Sequence, residues 1–214
     1  MRDPIQARLM HREGTAGRAA GLTLIELMVT LVIMAVLAAV AYPNMQNLMR
    51  HNRVVALSNS LQADLQYARG QAAATRAYVS ICPVANPGDQ TCASGSGSYD
   101  NGWLVYTSLT ANAAYDGSAS NLQRVEQAAT NASLRSSISN VLTYNARGML
   151  LSGNDQEASS DVLFYVCSKS TSSDTIGTST AGIPGIAMNA AGAGRISSTP
   201  LAADSSCTPS PPGT

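Results

Sequence analysis

The strongest constraint on the fold is a mostly apolar stretch near the N-terminus, residues 21–43, which reads GLTLIELMVTLVIMAVLAAVAYP. About 20 residues of helix rise roughly 30 Å, which matches the thickness of the hydrocarbon part of a bilayer. Glu26 is the only charged residue in this stretch. A carboxylate at the centre of a membrane helix costs about 3 kcal/mol, and less near an end, so it is usually retained for a partner or a function. The stretch therefore predicts a membrane helix with a positively charged partner for Glu26.

Charge is unevenly distributed around this stretch. The first 21 residues contain four arginines and two acidic residues, a net charge of +2, and the rest contains 9 basic and 11 acidic residues, a net charge of −2. A basic flank stays in the cytoplasm, which places the C-terminal body on the other side of the membrane. A mildly acidic body is not typical of a general nucleic-acid binder, because phosphate neutralisation requires surplus Lys and Arg.

Two ordinary interpretations of the apolar stretch are a plain membrane anchor and a secretory signal peptide. The first follows from length alone. The second is supported by Ala39-Val40-Ala41, a small-x-small pattern of the kind that signal peptidases cleave. Neither interpretation explains Glu26.

The segment from Gly21 to Leu27, GLTLIEL, closely resembles the processing motif of type IV prepilins and type II secretion pseudopilins. The resemblance implies cleavage by prepilin peptidase after Gly21 and methylation of Leu22, a position where Phe or Met is commoner. It also implies an assembly role for Glu26, whose carboxylate would attract the N-terminal amine of a neighbouring subunit. Such a pair would remove two unfavourable charges from lipid together.

Pro43 lies where many pilins have a proline that breaks or kinks the long N-terminal helix, called the spine. The alternative is that Pro43 merely ends the membrane helix. Residues 44–76 contain no further proline, and apolar side chains recur there about every three to four residues. This spacing predicts an amphipathic helix that lies against a globular domain. The apolar stripe is predicted at Leu48, Val54, Leu57, Leu61, Leu65, Ala68 and Ala72.

After Arg76 the apolar period shortens to two, which is typical of strands. No second long helix is predicted, so the strands are expected to form antiparallel sheet on the spine helix. The tail from Thr199 is rich in Ser and Pro and is expected to be loose except where Cys207 ties it down. The predicted strands are 78–82, 103–107, 122–127, 138–144, 162–167, 183–188 and a last one around 195–196.

Four further segments resemble, in their order along the chain, the GspH/FimT group of minor pilins and pseudopilins. They are LQADLQYAR from Leu61, VSIC from Val79, GWLVY from Gly102, and Gly194-Arg195-Ile196. The resemblance implies an α+β, pilin-like fold with a long N-terminal helix and a C-terminal antiparallel β-rich domain. The expected divisions are a cleaved leader (1–21), a transmembrane and assembly half of the helix (22–43), its amphipathic half (44–76) and a periplasmic β-rich domain (77–214).

Four cysteines lie in the body, at positions 82, 92, 167 and 207. An oxidising compartment favours disulfides, and of the three possible pairings we favour Cys82 with Cys92 and Cys167 with Cys207. A zinc site is a weaker alternative, because there is no Cys-x-x-Cys pair and the body has one histidine, His51. No metal and no cofactor are therefore expected.

Catalytic chemistry is not expected either. His51 is interpreted as a solvated helix residue, and Asp155 and Glu157 as hydrated turn residues rather than an acid-base pair. The resemblance implies a structural subunit of the inner membrane that helps to initiate or cap a type IV pilus or a type II secretion pseudopilus. Its expected partners are other pilins, which it contacts through the helix, and prepilin peptidase. An alternative is DNA binding through Arg195, although the family's Gly-Arg-x-Arg element lacks its second arginine here; a membrane-anchored periplasmic enzyme is a third, weaker one.

Overall fold

The computed structural model describes residues 21–95, 97–139, 141–151, 158, 161–171 and 173–210. Most of the expected leader, and the turn with Asp155 and Glu157, lie outside these residues. The chain divides into two units between Tyr42 and Pro43.

The first unit is the start of helix α1 (Leu24–Thr75). Thr23 caps this helix, because its hydroxyl oxygen accepts a hydrogen bond from the Glu26 N–H at 3.2 Å. The hydroxyl of Thr30 donates to the Leu27 carbonyl at 2.9 Å, so this polar group is satisfied within the helix. The apolar side chains of residues 24–42 are exposed, and the helix is long and apolar enough to cross a membrane. The apolar surface of this unit is the kind that lipid covers.

Helix α1 continues through Pro43 into the second unit. Proline has no N–H to donate, so one helical hydrogen bond is missing there. The alternative in which Pro43 ends the helix is wrong, because α1 ends at Thr75.

The part of α1 in the second unit has one buried stripe, as the periodicity predicts. It begins at Val54 rather than at Leu48, which is 53% exposed. The reason is that Leu48 lies before the part of the helix that the domain covers. The stripe consists of Val54, Leu57, Leu61, Leu65, Ala68 and Ala72.

Nine strands follow within the described residues and form two sheets, and every pairing between these strands is antiparallel. One sheet has the order β3-β2-β1-β5-β6, and the other has the order β4-β7-β8-β9. The strands are β1 Tyr78–Pro83, β2 Trp103–Ser108, β3 Leu122–Glu126, β4 Ala132–Ser136, β5 Leu142–Tyr144, β6 Leu150–Leu151, β7 Val162–Ser168, β8 Ile186–Ala190 and β9 Ile196–Pro200.

The strand predictions are wrong at several positions. Strands β4 and β6 were not predicted, and β5 and β8 begin later than expected. Ile138 forms a local turn, since its N–H bonds the Ser136 hydroxyl, and Ile183 exchanges backbone hydrogen bonds with Thr180. From Thr199 to Cys207 the tail is not loose, because β9 includes Thr199 and residues 204–207 pair with residues 177–179.

One hydrophobic core joins α1 to both sheets. The buried stripe of the helix packs with side chains from β1, β2 and β5 of the first sheet and from β4, β7 and β8 of the second. A smaller cluster on the opposite face of β1 and β2 contains Cys82, Leu104 and Tyr106. Alternation along these strands produces both clusters, because Ile81 faces the helix while Cys82 faces away.

Candidate functional site

Three of the four residues expected to carry processing and assembly lie together at the start of α1, and the fourth, Pro43, lies further along the helix. Gly21 and Leu22 are exposed just before the helix, and Glu26 is exposed in its first turn. A carboxylate is favourable there because the helix N-terminus carries partial positive charge. Residues 22–49 include no Lys, Arg or His, so this stretch of the chain has no basic side chain to offer Glu26. A positive partner for Glu26 must therefore come from outside residues 22–49.

Asp64 is a site residue that the sequence analysis missed. It lies on the buried side of α1, and its side chain is 6% exposed. One carboxylate oxygen accepts from the indole N–H of Trp103 at 2.8 Å, and the other accepts from Arg124 at 2.7 Å. The Arg124 guanidinium also stacks on the Tyr67 ring, 3.9 Å from its centroid. The helix is thus joined to β2 by a buried hydrogen bond and to β3 by a partly exposed ion pair, as well as by apolar packing.

Arg69 makes a second polar connection, to two turns of the domain. Its guanidinium donates to the carbonyls of Gly148, Gly194 and Ala193 at 3.0, 2.8 and 3.2 Å. One turn lies between β5 and β6, and the other lies between β8 and β9. The Leu61–Arg69 segment and the Gly194-Arg195-Ile196 segment, which are distant in sequence, therefore meet in the fold.

Arg195, the residue expected to contact DNA, is exposed in the β8–β9 turn. It directly follows Gly194, whose carbonyl binds Arg69. Arg76 and Arg147 line a cavity of about 330 Å³ beyond the end of α1. Arg69 directs its charge toward backbone carbonyls, so Arg195 is the guanidinium that this turn presents to solvent.

The four cysteines form two disulfides, Cys82–Cys92 and Cys167–Cys207, the pairs that the sequence analysis favours. The first closes a loop beside the smaller hydrophobic cluster. The second attaches the C-terminal segment to β7. Neither pair is a thiol in this structure, so neither is a metal ligand or a nucleophile.

No group of three potential His, Cys, Asp or Glu metal ligands occurs among the described residues. His51 is half-buried rather than solvated, and its Nδ1 is buried without a hydrogen-bond partner. Burial raises the pKa of Tyr99 and Tyr144 well above the ordinary value, so both stay protonated at neutral pH.

Comparison with known proteins agrees with this arrangement. The family described as type II transport protein GspH matches residues 57–194, and the prokaryotic N-terminal methylation motif matches residues 17–42. The fold is similar to a crystal structure of the type IV minor pilin FimU from Pseudomonas aeruginosa, with a TM-score of 0.51 and 22% identity. That alignment covers 73% of this chain and 96% of FimU. A second crystal form of FimU aligns with a TM-score of 0.46 at 21% identity, over 70% of this chain and 95% of that one. No protein with a curated function matches the sequence.

Proposed function

This chain belongs to the GspH family of type II transport proteins, since the family match covers more than half of its length, and we propose that it is a minor pilin or pseudopilin that helps to initiate or cap a filament. The filament is a type IV pilus or a type II secretion pseudopilus. The proposed role is structural and not enzymatic. Its partners are other pilins or pseudopilins and prepilin peptidase, and it is anchored in the inner membrane by one helix with the β-rich domain in the periplasm.

The observation that carries this proposal is the isolation of Glu26. Its carboxylate is exposed in the first turn of an apolar helix, within a stretch that has no basic side chain from residue 22 to residue 49. Cleavage after Gly21 creates an amine on Leu22 of each processed subunit. In lipid, such an amine from a neighbouring subunit stabilises the carboxylate by pairing with it.

The remaining parts of the chain fit the same role. The apolar side chains at the start of α1 provide a surface for neighbouring helices as well as for lipid. Asp64 and Arg69 fix the second part of α1 to the β-rich domain, so a force on the helix is transmitted to the domain. Both properties are needed in a subunit that is extracted from the membrane as one body.

The proposal is tested by replacing Glu26 with Val or with Gln. We expect both variants to insert in the membrane and to begin at a methylated Leu22, but to be depleted from sheared filaments by at least about tenfold. The physical reason is that the neighbour's amine would remain unpaired in lipid, which costs roughly 3 to 5 kcal/mol for a buried ion pair that loses one partner. Immunoblots of sheared and membrane fractions, with mass spectrometry of the N-terminus, measure these quantities.

Thr30→Val is the matched control, because Thr30 is a polar residue one turn further along whose hydroxyl only bonds its own helix. It is expected to enter filaments at close to the normal level. Normal incorporation of Glu26→Gln would contradict the proposed pairing. A mature chain that begins at Tyr42 would contradict the processing that the proposal requires.

DNA binding during natural transformation is the second candidate, and one observation favours it. Arg195 is exposed in a turn at the same end of the domain as Arg69 and the turn containing Arg147. With one free guanidinium in that turn, counterion release would supply little affinity. A salt-sensitive mobility shift that Arg195→Ala abolishes would favour this function over the structural one alone.

A further inference from the structure

The second sheet ends in β9, a strand whose outer edge is open. Strand β9 pairs with β8 on one side, and no other segment in the described part of the chain pairs with its other side. The hydrogen bonds at the two ends of β9 show which residues face β8. The Ala191 N–H donates to the Arg195 carbonyl, and the Leu201 N–H donates to the Gly185 carbonyl, both at 2.8 Å.

The bonding direction alternates along an antiparallel strand, so it can be assigned for every residue of β9. Ser197 and Thr199 bond to β8, whereas the backbone groups of Ile196, Ser198 and Pro200 point outward. The outer edge therefore presents two N–H and three carbonyl groups, because proline has no N–H. Pro200 lies at an outward position, so it leaves the pairing of β9 with β8 intact.

The other three sheet edges are protected against the addition of a strand. Residues 97–99 cover the edge of β4 with backbone hydrogen bonds, and the Gly192 carbonyl covers the edge of β6, where it accepts from the Leu150 N–H at 2.9 Å. Strand β3 contains the charged residues Arg124 and Glu126 and a register shift against β2. Charges and irregular pairing are two ways in which proteins block an exposed edge. Strand β9, ISSTP, has no charged residue, and four of its five residues are exposed.

We propose that the outer edge of β9 binds an extended segment of a neighbouring subunit, which adds one strand to the second sheet. Recognition is by backbone hydrogen bonds, as in other cases where a peptide extends a sheet. Arg195 is exposed at the start of β9 and favours an acidic residue at the adjoining end of the partner segment, since opposite charges on paired strands stabilise each other.

This inference rests on the proposed function, because the filament supplies the neighbouring subunit. The edge is short, and a free peptide bound by so few hydrogen bonds would dissociate readily. A subunit that the filament already holds in place is different, because its high effective concentration makes the same few bonds sufficient. The edge of β9 is thus filled on assembly and open in the isolated subunit.

The test replaces Ser198 by Pro in the full chain and measures the subunit in sheared filaments. Ser198→Pro removes one outward N–H and places a ring at the edge, while the donors to β8 remain. We expect depletion from filaments by about tenfold, the factor that one lost hydrogen bond allows. The Tm of the domain, followed by circular dichroism, is expected to stay close to that of the wild type.

Ser198→Ala is the matched control, because it keeps the N–H and removes only the exposed hydroxyl. It is expected to enter filaments at the normal level. Arg195→Gln should reduce incorporation by a smaller factor than Ser198→Pro, since it removes a charge at the end of the strand and leaves the edge itself unchanged.

Hydrogen exchange of the wild type tests the inference without a variant. The amides of Ile196 and Ser198 should exchange at least about tenfold more slowly in filaments than in the detergent-solubilised mature chain. The amides of Ser197 and Thr199 bond to β8 and should be protected in both states, so they serve as the internal control. Mass spectrometry with fragmentation of the peptides that cover β9 measures the four amides.

Three results would overturn the inference: normal incorporation of Ser198→Pro, equal depletion of Ser198→Pro and Ser198→Ala, or fast exchange of the outward amides in filaments. Protection of these amides in a dimer of the isolated chain would assign the edge to a second copy, and would also contradict a contact made on assembly. Failure of the assembly proposal is distinguishable, because Glu26→Val would then enter filaments normally. If Glu26→Val is depleted and Ser198→Pro is not, only the contact at β9 is wrong.

Discussion

Gly194 shows, at the scale of one residue, why the segment Gly194-Arg195-Ile196 has a glycine. Its φ is +76°, and a Cβ there would overlap the Gly148 carbonyl oxygen and lie 2.5 Å from Arg69 Nε. The close approach of the two turns to the Arg69 guanidinium therefore requires a residue without a side chain. Gly194 belongs to a segment that resembles a family motif. In the fold, its carbonyl accepts a hydrogen bond from Arg69 and so joins the turn between β8 and β9 to α1.

Gly194→Ala is predicted to destabilise the domain by at least about 1 to 2 kcal/mol, because a left-handed backbone and a displaced Arg69 both cost free energy. For a domain of this size that lowers Tm by several degrees. The fluorescence of Trp103, the single and fully buried tryptophan, follows unfolding of the domain. Gly182→Ala is the control, since a Cβ there meets nothing within 4 Å. Equal melting of the two variants would contradict this account of Gly194.

At the scale of elements, α1 is attached to the first sheet through Asp64. Asp64→Ala is predicted to cost roughly 2 to 4 kcal/mol, because it leaves the buried indole N–H of Trp103 unpaired and removes the partner of Arg124. Asp64→Asn keeps an acceptor for Trp103 and should cost less, about 1 to 2 kcal/mol. Urea titrations of both variants, followed by far-UV circular dichroism, give the two values. A loss below 0.5 kcal/mol in Asp64→Ala would show that apolar packing alone holds the helix.

The same elements show what can be predicted from the sequence and what cannot. The buried stripe of α1 follows from its spacing, and the long strands follow from the alternation of apolar residues. Strand β4 has the sequence ASLRS, in which Leu134 is the one large apolar residue, so periodicity is silent there. The burial of Asp64 was not predictable either, because it depends on Trp103 and Arg124, which approach the helix only after the sheets have formed.

At the scale of the whole molecule, the long apolar N-terminal helix was predictable, whereas the path of the C-terminal segment was not. Serine and proline there indicated a loose tail. The structure shows that the N–H of Cys207 donates to the Gly177 carbonyl and that Ser206 pairs with Thr178, so the segment extends the packing of the second sheet. Proline removes donors from a strand but does not prevent such edge pairing, since Pro200 ends β9.

The disulfide Cys167–Cys207 makes this path a property of the folded domain as a whole, and its removal gives the last prediction. It joins residues 40 apart, against 10 for Cys82–Cys92. Loop-closure entropy then predicts that replacing Cys167 and Cys207 by serines costs about 4 kcal/mol of unfolding free energy. Replacing Cys82 and Cys92 should cost about 3 kcal/mol. The two double variants should also differ in where the structure loosens. The double variant of Cys167 and Cys207 frees the C-terminal segment for proteolysis while Trp103 remains buried. Limited proteolysis with mass spectrometry, read beside Trp103 fluorescence, measures both; a tail that stays protected without the bond would show that its hydrogen bonds suffice.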